Sequence, residues 1–491
     1  MNGGNGVNNE GKSFLKNFFI LGVGSFIYLI VGIIGTPIIT RLVDPVEYGY
    51  MSMFTVYSQI GMMVLGLGLD QALIRYFYRK EDIDYKKRLL LECYLIPGIV
   101  SVVIGIVVFL GCIITNSLKI TNQSLFELLL LEINILILLI NRYALLVLRL
   151  RYKTKDYSVV SVLQKTLYIL FTLLGVAIFH NYYFEILAIS TILSTLISTV
   201  WAIFRDKELW VFSGCTRAPL IPIKELLNYG IPIMFATGIS MIFNALDKIF
   251  LNHFCTLSDV GVYTSAMNLM AVFSIVRTSF NALWMPSAVE HYEKNKNDKT
   301  FYQRGNSFIV LLMVTIGAAV ILCKDIFVLL LGSKYQAAAE IIPFLMFEPI
   351  MYTISETTTT GMIIEKKSKY QIMVASGSFV VNFMGNLLLT PLMGPKGAAL
   401  STGVSYIVFF ILRTILSNRV FYVDYKLKRF SIIIVLLFAY AWYGSSHYIS
   451  IFQVGMFIGI MVIMCLLYRN NLSDALGYIK EILKKITRKK V

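Results

Sequence analysis

Five basic residues, Arg142, Lys165, Lys248, Arg277 and Arg413, fall inside stretches of the sequence that are otherwise apolar, and so do the carboxylates Asp247, Glu348 and Glu356. A charge in hydrocarbon is costly, so such residues face a bundle interior or a wet cleft and mark a site or a pathway. Thr237, Ser240, Asn244 and Asp247 recur at steps of three or four, with Lys248 beside the last. On a helix that spacing makes one polar face. Two readings are open: an Asp247–Lys248 pair reaching the outer surface, or a stripe lining a pathway. A second stripe holds Asn268, Ser274, Arg277, Thr278 and Asn281. It puts Arg277 about 10 Å deep at 1.5 Å per residue, where polar neighbours favour a cavity position.

Glu348, Tyr352, Ser355, Glu356 and Thr359 share a third face. Two carboxylates near mid-membrane fit ion-coupling sites, partners for the cations, or protonated hydrogen-bonding groups. Arg142 and Lys165 lie in the inner thirds of their spans, as ligands for an anion or as structural residues near the headgroups, the structural reading being the better one for Arg142. Arg413 is close enough to a span end for its side chain to snorkel to the interface. Asp70, Glu92 and Glu132 are further acidic positions of the same kind.

Other chemistry finds no motif. The chain has no phosphate-cradling glycine loop ending in Lys-Ser/Thr, no His-Glu-x-x-His and no Gly-x-Ser-x-Gly, so no catalytic residues and no cofactor are assigned. Cys93, Cys112, Cys215, Cys255, Cys323 and Cys465 are scattered without paired spacing, as are the four histidines. They read as small apolar side chains, with no metal or disulfide framework.

These side chains must be positioned by membrane helices. Hydrophobic residues make up 57% of the 491 and charged residues only 15%, a composition outside the range of soluble domains. At about 20 apolar residues per crossing the sequence predicts an all-α polytopic membrane protein of about fourteen helices, near 17–40, 50–69, 89–114, 125–148, 158–179, 185–204, 230–254, 262–284, 306–331, 339–363, 371–392, 396–418, 431–446 and 451–468. The polar start, Met1 to Gly6, lacks a basic n-region, so the first stretch is expected to be retained as a span.

The net charge of +16 is explained by placement. Of 44 Lys and Arg, 34 lie in alternate loops and the termini, five in the opposite loops and five within spans. That asymmetry predicts two cytoplasmic termini and an even number of crossings. Attraction to anionic lipid heads accounts for the positive charge without nucleic acid.

The layout repeats. One hairpin turns at Leu42-Val43-Asp44-Pro45-Val46-Glu47-Tyr48-Gly49, and another, 212 residues later, at Thr256-Leu257-Ser258-Asp259-Val260-Gly261. Each turn has an acidic residue two before a glycine. The expected organisation is an N-terminal six-helix lobe (1–204), a cytoplasmic linker (205–229), a C-terminal six-helix lobe (230–418), two further helices (419–468) and a basic amphipathic cytoplasmic tail (469–491). Both lobes start from the cytoplasm, which makes the repeat parallel.

The first turn, the stretch Gly66-Leu67-Gly68-Leu69-Asp70-Gln71-Ala72-Leu73-Ile74-Arg75-Tyr76, and Gly394-Pro395-Lys396-Gly397-Ala398-Ala399-Leu400-Ser401-Thr402 are familiar. Over about residues 14–420 the chain resembles the polysaccharide-export flippases, the Wzx-type members of the multidrug/oligosaccharidyl-lipid/polysaccharide (MOP) exporter superfamily. The resemblance implies two pseudo-symmetric, MATE-like lobes around a cationic cavity in a bacterial cytoplasmic membrane. It implies alternating-access transfer of an undecaprenyl-diphosphate-linked oligosaccharide from inner to outer leaflet, for cell-surface polysaccharide biosynthesis. Expected partners are that lipid-linked oligosaccharide, membrane lipids and other polysaccharide-assembly proteins. No strict residue set transfers from the family. The site assignment therefore rests on intramembrane charge and stripe spacing: Arg277, Lys165, Arg142, Lys248, Asn281 and Asn244 for the anionic substrate, and Glu348, Glu356 and Asp247 for coupling or gating. The alternatives are a cation-coupled multidrug exporter of the same superfamily and a membrane polysaccharide polymerase or ligase. The short, nearly uncharged outer loops weigh against the enzyme.

Overall fold

The computed structural model describes residues 4–115, 122–212 and 221–469. The expected basic tail, and Cys112 and Cys215 as side chains, lie outside the described residues. Among the described residues the regular structure is helical throughout, so the all-α expectation stands. In chain order the helices are α1 (Gly4–Leu42), α2 (Pro45–Leu65), α3 (Leu69–Tyr76), α4 (Ile83–Thr115), α5 (Asn122–Leu150), α6 (Thr154–Ile178), α7 (Tyr183–Arg205), α8 (Lys207–Trp210), α9 (Ile223–Phe254), α10 (Leu257–Met270), α11 (Ser274–Lys294), α12 (Thr300–Leu322) and α13 (Lys324–Leu329). They continue with α14 (Ala338–Leu345), α15 (Phe347–Thr358), α16 (Thr360–Ile364), α17 (Ser368–Met393), α18 (Pro395–Asn418), α19 (Leu427–Ser446) and α20 (Ile451–Leu467).

Twelve of the described helical segments are long and apolar enough to cross a bilayer, thirteen with the bent pair α2–α3 taken as one span. α20 is apolar but shorter. Its 17 residues fall below the roughly 20 needed for an untilted crossing. The protein is a multi-pass membrane protein. It divides into two compact units, Met1–Leu246 and Asp247–Val491.

In the first unit, the second span of the opening hairpin does not run straight. α2 and α3 meet at 53°. Leu67 and Gly68 both have left-handed backbone, φ 51° and 66°, which is costly for leucine and free for glycine. The break lets main chain meet main chain: a Cβ on Gly68 would lie 2.1 Å from the Gly230 carbonyl oxygen, and one on Gly230 would lie 2.6 Å from that of Leu67. Only glycines allow this approach between the α2–α3 break and α9. Below it, Leu69, Leu73, Leu89, Tyr143, Val147 and Leu226 close an apolar cluster that ties α3 to α4, α5 and α9.

The second unit begins within α9, at Asp247, and carries a gentler interruption. Thr256 and Asp259 form a reciprocal capping box, which satisfies two donors at the start of α10 and gives the acidic residue of the turn its purpose. A single 3₁₀ turn, Ala271–Phe273, then separates α10 from α11. α14 and α15 together make the most enclosed candidate span, 83% buried over its apolar window, so Glu348 and Glu356 are held among protein groups while Glu340 at its start is exposed. α17 and α18 pack closely through small residues. A Cβ on Gly397 would lie 2.2 Å from the Leu389 carbonyl, and one on Gly385 would lie 2.3 Å from Ser401 Oγ. Small residues at such contacts let membrane helices approach where there is no hydrophobic drive between them. Here they bring the polar faces of α17 and α18 within reach of α9.

Candidate functional site

Asp247 is buried on α9 and is surrounded by donors. It accepts the hydroxyl of Tyr263 from α10. Thr402 Oγ1 of α18 donates at 2.6 Å, Asn386 Nδ2 of α17 at 2.7 Å and Asn382 Nδ2 at 3.4 Å. The nest is cross-braced: Asn382 also donates to Thr402 Oγ1 at 3.0 Å, and Ser401 to the Asn382 carbonyl at 2.8 Å. An ionised carboxylate taken out of water costs on the order of several kcal/mol unless hydrogen bonds compensate it. Here three neighbouring helices supply them. Of the two readings open for Asp247, the surface-reaching one does not fit its burial. Lys248 is half-buried and forms no hydrogen bond among the described residues, but it is close enough to Asp247 to interact with it electrostatically.

Tyr263, Asn382, Asn386 and Thr402 escaped the sequence reading. Their signal was present, because Ser378, Asn382, Asn386 and Thr390 recur at every fourth position of α17, one polar stripe on an apolar helix.

A second cluster lies on α11, α15 and α18. Arg413 Nη1 donates to Glu356 Oε1 at 3.0 Å and to Ser355 Oγ at 2.7 Å. Its side chain is only 11% exposed and that of Glu356 4%. Arg413 thus turns inward to a carboxylate instead of snorkelling outward, because an enclosed Glu356 needs a cation. Arg277 behaves differently. Its guanidinium carbon lies 4.5 Å from the centroid of Tyr352, and it forms neither hydrogen bond nor ion pair among the described residues. Glu348 is close enough to interact with it electrostatically, and its Oε1 takes a long bond, 3.4 Å, from the Tyr406 hydroxyl. Asn281, one turn beyond Arg277 on α11, is half-buried.

In the first unit Arg142 of α5 grips Asp70 of α3, Nη2 at 2.8 Å and Nε at 3.1 Å from the same oxygen. Gln71 adds a bond to that oxygen at 2.9 Å. The group borders a cavity of about 210 Å³ that is also lined by Met62, Met63, Met234 and Thr237. Lys165 of α6 is half-buried, packs 3.5 Å from where a Cβ on Gly32 would sit and lies 5.5 Å from the Tyr168 ring centroid. Like Arg277, it forms no ion pair among the described residues. Asn244 is exposed on α9. The structure thus groups Arg277 with Glu348, and Arg413 with Glu356. Asp247 stands in its own nest, and Arg142 and Lys165 are separate features of the first unit.

Residues 38–340 match the family model for polysaccharide biosynthesis proteins. The chain belongs to that family. An uncharacterized membrane protein of Methanocaldococcus jannaschii is 25% identical over 413 residues, covering 78% of this chain and 80% of its own. Among solved structures, the fold is similar to that of the lipid II flippase MurJ in an inward closed conformation, with TM-score 0.68 and 13% identity over 92% of this chain and 100% of that one. It is also similar to an inward-facing multidrug-resistance MATE transporter of the MOP superfamily, with TM-score 0.55 and 15% identity over 80% of this chain and 93% of that one. At these identities the likeness establishes a shared fold.

In this polysaccharide biosynthesis protein the two clusters of the second unit offer different chemistry. The Asp247 nest is a set of hydroxyl and amide donors gathered around one carboxylate, which compensates that charge inside the protein. The Arg277 cluster offers a guanidinium whose donors are unbonded among the described residues, with Glu348 acting on it only through space, and those donors match a phosphate or carboxylate. No group of three or more His, Cys, Asp or Glu side chains suited to a metal occurs among the described residues.

Proposed function

We propose that this protein is a flippase that moves a polyprenyl-diphosphate-linked oligosaccharide from the inner to the outer leaflet of a bacterial cytoplasmic membrane by alternating access, in cell-surface polysaccharide biosynthesis. Membership of the polysaccharide biosynthesis family and a fold like that of a lipid II flippase support the class. The observation that carries it is Arg277, a guanidinium inside a spanning segment with no ion-paired carboxylate among the described residues. A diphosphate cannot cross hydrocarbon bare and needs fixed cations. This reading assigns that need to Arg277 in the second unit and Lys165 in the first, with Lys248, Asn281 and Asn244 as further polar contacts, while Arg142 is already taken by Asp70. The carboxylates Asp247, Glu348 and Glu356 are the coupling candidates. Asp247 is the best placed of them, since Glu356 is already tied to Arg413. Transport, not catalysis, is the role this reading gives the chain, with both termini in the cytoplasm.

The test is a deletion strain complemented with wild type or Arg277→Ala. Lipid-linked oligosaccharide should accumulate on the inner leaflet and be cleared by wild type alone. If none accumulates and dye efflux falls instead, the protein is a drug exporter and the diphosphate reading is withdrawn. For coupling, Asp247→Asn should transport at the same rate with and without an ion gradient. Retained gradient dependence in this variant would move the role to Glu348.

A further inference from the structure

Arg142, Arg277 and Arg413 sit within the spanning segments, and they are held in two ways. Arg142 and Arg413 are each bound along the guanidinium edge by a carboxylate, Asp70 at 2.8 Å and Glu356 at 3.0 Å. Arg277 is held over an aromatic ring. Tyr352 lies 4.5 Å below it, half-buried, and Phe409 backs Tyr352 with ring centroids 5.4 Å apart and planes 14° from parallel. The Tyr352 hydroxyl forms no hydrogen bond among the described residues, so the position uses the ring. A hydrogen-bonded carboxylate would have occupied the donors of Arg277 and neutralised it, as Glu356 does Arg413, whereas Glu348 acts on it only through space. A π-face does neither: it attracts the cation through the ring quadrupole and leaves the fork of five N–H donors open at the edge. Lys165 over Tyr168 repeats the device in the first unit.

We infer that Tyr352 is a positioning residue, an aromatic shelf that fixes Arg277 in place while keeping its charge and donors free for a phosphoryl or carboxylate group of the substrate. This rests on the proposed anion-binding role of Arg277 and adds the residue that sets its affinity. The shelf also accounts for the neighbouring Arg413. It lies 5.4 Å from the same ring but is neutralised by Glu356, so one aromatic pair serves two cations and only one of them is available.

The experiment uses the full chain in lipid nanodiscs, with geranylgeranyl diphosphate as one probe and an alkyl glucuronide as the other. Phenylalanine and its mono-, di- and trifluorinated analogues are placed at 352, which drains the ring quadrupole while nearly keeping its shape. Tyr352→Phe should bind within about twofold of wild type, and affinity should then fall stepwise to about tenfold weaker across the series, the range of a partly desolvated cation–π contact. Arg277→Ala should be weaker than any of them. Tyr352→Leu should match the trifluorinated ring. Stepwise loss with the diphosphate assigns the anion to the lipid pyrophosphate; the same loss with the glucuronide alone keeps the shelf and assigns the anion to an acidic sugar. A flat fluorine series beside a weakened Arg277→Ala would overturn the shelf and leave the anion site standing. Unchanged binding by Arg277→Ala would overturn the anion site itself.

Discussion

Arg142 in the first unit and Arg277 in the second are both arginines within spanning helices, yet one is closed and the other open. Arg142 spends its edge on Asp70, with Gln71 completing the shell of that carboxylate. Arg277 rests on a tyrosine face with its edge unspent. A guanidinium paired at its edge stabilises a fold, and one held over an aromatic ring is ready for a ligand. Exposure alone would mislead. The Arg142 side chain is 52% exposed, more open to its surroundings than the half-buried Arg277, and it still has less charge to offer.

The largest expected effect follows directly. Arg277→Ala should slow flipping by roughly 100-fold, the scale of losing a desolvated charge-assisted contact, while Arg142→Ala should change it by less than about threefold. Equal losses in an initial-rate assay would erase the distinction. Stability should show the reverse pattern. Removing Arg413 strands the buried Glu356, so Arg413→Ala should cost about 3 kcal/mol, whereas Arg277→Ala should stay within about 0.5 kcal/mol. Thermal melting in nanodiscs reads both.

That contrast also marks how far the sequence could be read. Intramembrane charge and stripe spacing located Arg277, Asp247, Glu348 and Glu356, because a polar residue in an apolar run announces itself locally. What each residue is paired with did not announce itself. Asp247 and its partners Asn386 and Thr402 are more than a hundred residues apart, and Arg413 meets Glu356 across 57. Adjacent Lys248 acts on Asp247 only electrostatically, while hydrogen bonds to that carboxylate come from far along the chain. Most of the spanning helices were legible from hydropathy, yet the α2–α3 break was not, since the apolar run continues through Gly66-Leu67-Gly68. Its cause is a left-handed backbone fitted against Gly230, which only the packed structure reveals.

The break supplies the next comparison between the units, a 53° bend against a single 3₁₀ turn. Gly68→Ala puts a methyl group into the Gly230 carbonyl at positive φ and should destabilise by about 1–3 kcal/mol. Alanine in the 3₁₀ turn is already native at 271. Melting of Gly68→Ala indistinguishable from wild type would show that the first unit relaxes as easily as the second. The smallest effect belongs to Asp70→Asn. It should cost no more than about 1 kcal/mol because Arg142 is half exposed and its pairing is screened. It should also free the Arg142 edge, so added diphosphate affinity in this variant would sharpen the contrast between closed and open arginines.

In the proposed cycle Arg277 carries the anion across. Purified protein in proteoliposomes, loaded on the inner leaflet with a fluorescent polyprenyl-diphosphate sugar and probed with an impermeant quencher, reads that transfer directly. Wild type and Arg142→Ala should expose the label outside at similar rates while Arg277→Ala leaves it protected. Equal exposure by Arg277→Ala and wild type would contradict the claim.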